Sequence, residues 1–183
     1  MATIALQPVL PVQTPGPEEY VMEFPEAASQ TFKKGYPVYL AATGITICAA
    51  NPAKILGFAA DDAHNDGSAG LHNIGVYIAH PSTIFAGNIV VSGNANGNNV
   101  APTKAVLAQA QLGLSYGLNL DATNMIATVD TSDTGSSKER VVPFAPLNAY
   151  GQGDPSEGGM GDTGARVLFT VMPAYSQLYM LSS

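Results

Sequence analysis

From Thr31 onward the chain alternates short apolar runs with turn residues: Tyr36 to Ala41, Ile45 to Cys48, Ile55 to Ala60, Ile74 to Ala79, and Thr83 to Val91. Runs this short, rich in Val, Ile and Tyr and spaced at roughly ten residues, predict β-strands rather than helices. Three further runs, Met125 to Asp130, Glu139 to Phe144 and Ala165 to Met172, extend the pattern, with turns at Asp121-Ala122-Thr123-Asn124 and Asp133-Thr134-Gly135-Ser136. Glycines at 35, 44, 57, 67, 70, 75, 87 and 93 punctuate it. They supply turns, and bulges where a sheet curves. The expected fold is mainly β, a small barrel or sandwich.

One segment reads differently. Pro102 to Leu112 carries Lys104-Ala105-Val106-Leu107-Ala108-Gln109-Ala110, all tolerant of helix, with Pro102 in the first turn and Gly113 after the end. This predicts one short α-helix over 102–112. Before it, Gly93 to Asn99 is a low-complexity Asn/Gly stretch, and Ala145 to Gly164 reads as a long irregular loop.

The ends differ from the middle. Residues 1–30 contain Pro8, Pro11, Pro15, Pro17 and Pro25, each lacking a backbone donor and disfavouring helix before it. They read as an extended N-terminal arm. Ile4, Leu6, Val9, Leu10, Val12, Tyr20 and Phe24 make it too apolar for a solvated tail, so it is expected to lie in a groove of its own body or of a neighbour. The last stretch, 173–183, is uncharged and carries Tyr175, Leu178 and Tyr179, and is expected to dock likewise. Residues 31–172 form the β domain between these two adhesive ends.

Composition narrows the function. Hydrophobic residues make up 46% of the chain and charged ones 11%, so the surface must be finished with small polar residues. Such a surface suits permanent packing against a partner or copies of itself. A net charge of −7 with seven Lys and Arg argues against nucleic acid as a partner. The single cysteine, Cys48, sits in an apolar run and reads as a small core residue. No apolar stretch approaches the ~20 residues of a membrane span, and no signal-peptide pattern opens the chain, so a soluble protein is expected.

The motifs that suggest chemistry are weak. Two Asp-Thr-Gly triplets, at Asp133 and Asp162, match the loops of aspartic proteases, but the residues before each are not the apolar strand that buries such an Asp. They are read as turns. Asp61-Asp62-Ala63-His64-Asn65-Asp66-Gly67 resembles the start of a calcium loop, yet counting from Asp62 the twelfth position is Asn73 rather than a bidentate Glu. His72 and His80 would lie about 26 Å apart on one straight strand, too far to share a metal, and all three histidines are read as loop or strand-end residues. There is no Gly-x-Ser-x-Gly elbow and no phosphate-binding loop before the helix. No enzyme activity, cofactor or metal is expected.

At Phe32-Lys33-Lys34-Gly35-Tyr36-Pro37-Val38-Tyr39-Leu40, followed by Ile55-Leu56-Gly57-Phe58-Ala59, the chain resembles the capsid decoration (cement) proteins of tailed bacteriophages. The likeness covers roughly residues 30 to 92, and Gly161 to Phe169 is similar to segments of phage structural proteins. The helix and the Asn-rich loop depart from the family's pattern. The resemblance implies a structural virion protein on the capsid outer surface that bridges major capsid protein subunits, as a homotrimer and without catalytic residues. Under that reading the partner-binding residues are those of the arm and tail named above, and loss of the arm should abolish attachment before it unfolds the body. Another repeated virion component, a tail or fibre subunit, and a carbohydrate-binding module with tyrosines as its platform are the alternatives.

Overall fold

The computed structural model describes residues 3–14, 21–49, 52–91, 103–121, 123–135, 137–150 and 158–180. Its strands form two sheets, and neither closes into a barrel. The first sheet contains β2 (Val21–Pro25), β6 (Asn73–Ile78), β5 (Gly57–Ala59), β3 (Pro37–Ala41) and β4 (Gly44–Ile47), in that order. All its ladders are antiparallel.

The second sheet runs β11 (Val141–Pro146), β12 (Arg166–Val171), β7 (Ile84–Val91), β10 (Ile126–Asp130) and β9 (Gly117–Asp121). Two short strands, β1 (Leu10–Gln13) and β8 (Thr103–Lys104), also pair with β7. β7 and β10 run parallel.

Alternation explains the core. On β9 and β10, Leu118, Leu120, Ala127 and Val129 join the main cluster, which draws residues from both sheets. The sheets meet at three phenylalanines: Phe58 of β5 lies 4.7 Å from Phe85 of β7 and 6.0 Å from Phe169 of β12, centroid to centroid. Such tilted and edge-on contacts suit the ring quadrupole. A smaller cluster, Ala86, Ala145, Leu147 and Leu168, lies apart from it. On β7 and β12 its members alternate with the phenylalanines, so it occupies the other face of the sheet.

The helix expected over 102–112 does not form, although Pro102 itself lies outside the described residues. Lys104 and Thr103 pair with Val90 and Val91. Ala105 and Leu107 are buried while Val106 between them is exposed, a period of two. The Leu107 N–H donates to the Asp162 carbonyl at 3.1 Å and the Gly164 N–H to the Ala105 carbonyl at 2.6 Å. Only Gln109–Gln111 coils, as one 3-10 turn. Local helix propensity amounts to tenths of a kcal/mol per residue, and ladder bonds plus two buried side chains override it.

Two pieces of the N-terminal segment pair within the sheets. β1 belongs to one sheet and β2 to the other, so residues 10–25 link the two. Pro11 is accommodated because β1 has a single partner and its register shifts between Pro11 and Gln13. Pro143 and Pro146 are accommodated the same way in β11, at the end of the sheet order with a shift after Pro143.

Candidate interaction surface

The ten residues expected to bind a partner separate into buried and exposed sets. Ile4 and Val9 are buried in the chain's own body, at 4% and 0% exposure. Leu6, Leu10 and Phe24 are half-buried, with Leu10 and Phe24 packed on the main core. Val12 is exposed. Tyr20 and the side chain of Tyr179 lie outside the described residues.

Polar contacts fix the first segment in place. Asn88 donates from Nδ2 to the Ala5 and Gly164 carbonyls at 3.0 and 2.7 Å, and its Oδ1 accepts the Gln7 N–H at 2.8 Å. Arg166 donates to Gln7 Oε1 and to the Pro8 and Ala86 carbonyls. Gly35, with φ +80°, lets the segment approach closely, since a Cβ there would stand 2.7 Å from both Pro8 Cβ and the Val9 nitrogen. Removing residues 1–30 would therefore strip β1, β2 and Val9 from the body.

The tail docks on its own chain. The Ile55 N–H donates to the Tyr175 carbonyl at 2.7 Å and the Gln177 N–H to the Ile55 carbonyl at 2.8 Å. The Gln177 side chain binds both the N–H and the carbonyl of Leu40, each at 2.8 Å, as a neighbouring strand would. Ser176 Oγ donates to the Ala79 carbonyl. The half-buried Tyr175 ring stacks under the Arg140 guanidinium, 4.0 Å from its centroid. A short helix, α1 (Gln177–Met180), follows, with Leu178 exposed.

Exposed apolar side chains are spread over the surface, with Leu71, Leu114, Val12, Val106 and Met160 the most exposed, and β2 carries two adjacent ones. Val21 and Met22 are 39% and 38% exposed. Being adjacent in a strand they point to opposite faces. β2 ends its sheet's order and presents one exposed apolar side chain on each face at its start, while Phe24, on the Met22 face, packs on the core. An edge strand with apolar side chains on both faces invites pairing or packing.

The tempting motifs are used locally. Lys138 Nζ lies 3.1 Å from Asp133 Oδ1, an ion pair without hydrogen-bond alignment, and Asp162 Oδ2 accepts the Gly159 N–H at 3.0 Å. In the calcium-like loop, Asp61 accepts the Gly75 N–H. Asp62 binds Lys33 Nζ and the Lys34 N–H, which hold its pKa below the usual carboxylate range. Among the described residues no three His, Cys, Asp or Glu side chains are arranged to hold a metal ion. Burial pushes the Cys48 thiol up, and pushes the Tyr36 hydroxyl up to about 12.

Sequence reasoning missed one cluster. The rings of His64 and His72 stack at 4.1 Å, with His64 against Glu26 and His72 against Asp66. Strand spacing sets His72 and His80 too far apart to meet, and gives no sign that His64 lies beside His72. The turn glycines Gly67 and Gly70 between His64 and His72 were the available signal for a reversal. The lining of an open groove of about 280 Å³ includes Tyr39, Ala49, Pro52, Ala53 and Lys54. Its aromatic face is shared with the Lys54 ammonium, 5.5 Å from the Tyr39 centroid.

No helix among the described residues is long and apolar enough to cross a membrane. Comparison with protein-family models, with curated proteins and with solved structures found no match to this chain.

Proposed function

We propose that the chain is a structural virion protein that binds the outside of an assembled tailed-phage capsid and bridges major capsid protein subunits. The observation that carries this reading is β2, an edge strand with Val21 and Met22 exposed on opposite faces of a chain only 11% charged. The resemblance at Phe32 to Leu40 and Ile55 to Ala59 supplies the kind of partner and the homotrimer. The body, in this reading, is a sandwich of the two sheets packed through Phe58, Phe85 and Phe169. β2, Val12 and Leu178 form the docking surface, while Ile4, Val9 and Tyr175 hold the body together.

The test is sedimentation of the purified chain with capsid shells of the phage that encodes it. Wild type should pellet with shells at a fixed ratio. A variant carrying Val21→Lys and Met22→Lys should stay in the supernatant with its melting temperature nearly unchanged, because exposed side chains contribute little to folding. Failure of the wild type to pellet, or equal pelleting of the variant, would overturn the proposal.

A further inference from the structure

We propose that an internal water site is built into the outer face of the second sheet, where a water bridges the Asn119 amide on β9 and the Asp133 carboxylate in the turn after β10. This stands independently of the docking role of β2.

β9 and β10 pair antiparallel, with Asn119 opposite Thr128 and Gly117 opposite Asp130. Leu118, Leu120, Ala127 and Val129 take the core face, so positions 117, 119, 128 and 130 share the other. That face is closed to solvent, since Asn119, Thr128 and Asp130 are all 0% exposed. After β10 the chain turns, with the Asp133 N–H donating to the Asp130 carbonyl at 3.1 Å, and meets β9 where the Gly117 N–H donates to the Asp133 carbonyl at 2.9 Å. The buried Asp133 side chain takes the place that a side chain at 117 would fill: a Cβ there would stand 2.6 Å from Asp133 Oδ2. Positions 117 and 119 lie about 7 Å apart along the strand, and the Asn119 side chain reaches across part of that distance. This sets amide and carboxylate within the span of a bridging water, without a direct bond between them.

Both groups need a partner. Among the described residues neither Asn119 Nδ2 nor its Oδ1 has a hydrogen-bond partner, and Asp133 Oδ2 has none either. Lys138 Nζ, 3.1 Å from Asp133 Oδ1, answers the carboxylate's charge on that side only. Buried amides are normally bonded, and leaving one unmet costs more than a typical hydrogen bond contributes. The other buried asparagine on this face of the sheet shows the contrast. Asn88 uses both ends of its amide, Nδ2 on the Ala5 and Gly164 carbonyls and Oδ1 on the Gln7 N–H. No comparable set reaches Asn119 among the described residues, so its partner comes from outside the chain.

The atoms fix the ligand's chemistry. It must be small, accept from an amide and donate to a carboxylate, and water does both. An internal water takes about three such bonds, and Nδ2, Oδ1 and Oδ2 supply the groups for them. A metal ion would leave the Nδ2 hydrogens unmet and would crowd the Lys138 ammonium at the same carboxylate.

The experiment counts long-lived internal waters of the full chain by oxygen-17 relaxation dispersion of the solvent, in wild type and in Asn119→Leu. The variant should lose dispersion amplitude, and its folding equilibrium constant in urea should fall by at least about fivefold, because Asp133 is left dry. In the wild type the Asn119 Nδ2 hydrogens should show dipolar contacts to water, of opposite sign in the laboratory and rotating frames. These contacts should persist in Thr128→Val, which removes a neighbouring hydroxyl that could relay them. Unchanged dispersion in Asn119→Leu, a variant more stable than wild type, or an Asn119 amide without water contacts would each overturn the proposal. Should Asn119→Leu fail to fold, the wild-type contacts decide it alone.

Discussion

Replacing Phe58 by alanine tests how the two sheets are joined. Phe58 is fully buried at the centre of a three-residue strand, paired with Pro37 on one side and Tyr77 on the other. Its ring meets Phe85 at 4.7 Å and Phe169 at 6.0 Å, both on the opposite sheet. Truncating a buried phenylalanine costs about 3–5 kcal/mol, and close packing from two sheets places this site toward the upper end because little can collapse into the void. That is a large share of the roughly 5–15 kcal/mol that holds most domains folded. Phe58→Leu keeps most of the volume and serves where the alanine variant is too unstable. Urea denaturation followed by circular dichroism should show a lower midpoint at constant slope. In a double-mutant cycle, Phe58→Leu and Phe85→Leu should couple by about 0.5–1.5 kcal/mol. Phe58→Leu and Leu168→Ala should be additive within about 0.5 kcal/mol, since Leu168 belongs to the separate outer cluster. A cost for Phe58→Ala below about 1 kcal/mol, or no coupling to Phe85, would refute the packing of the sheets through this ring.

Other consequences can be measured alongside. Gly35→Ala meets both a positive φ and a 2.7 Å approach to the Val9 nitrogen, and should lower stability by more than about 1 kcal/mol and speed exchange of the amides at residues 4–13. Gln177→Ala leaves the Leu40 N–H and carbonyl without that partner, and should cost about 1–3 kcal/mol in urea, with Gln177→Glu restoring only the acceptor half. Burial raises the pKa of Asp121, but the hydrogen bonds from the Asn124 side chain and from the Asn124 and Thr123 N–H groups outweigh it and hold it below the usual range. Its contribution is therefore complete above about pH 4 and is lost as pH falls through the folded-state value, so Asp121→Asn should flatten the acid limb of the urea midpoint below about pH 4. An acid limb identical in the variant would contradict this.

Much of the β pattern was legible because alternation and short apolar runs are local signals. The runs at 36–41, 45–48, 74–79 and 83–91 became β3, β4, β6 and β7 within a residue or two. What escaped depended on partners far along the chain. Ala105 and Leu107 sit in an alanine-rich stretch with good helical propensity, and only pairing with β7 and with the turn around Asp162 and Gly164 reveals them as extended. β9 was overlooked because Asn119 and Asp121 alternate with its two leucines and read as loop polarity, yet both are buried. Prolines made residues 1–30 look free of the sheets. Pro11 and Pro25 are tolerated there because β1 is a short strand with one partner among the described residues and Pro25 is the last residue of β2. Of the candidate surface, the apolar character of the N-terminal segment was readable, but which of its side chains face inward was not: Val9 and Val12 are alike in sequence and opposite in burial. The stacking of His64 on His72 was hidden for the same reason, since loop reversal rather than strand spacing brings them together.

Electron cryomicroscopy of capsid shells carrying the chain tests the proposed role most directly. The predicted map places the two-sheet body on the outer surface, with the β2 edge and its Val21 and Met22 against shell subunits and residues 10–13 still paired along β7 of the same body. Shells without the body, or a body attached with β2 facing solvent, would contradict it.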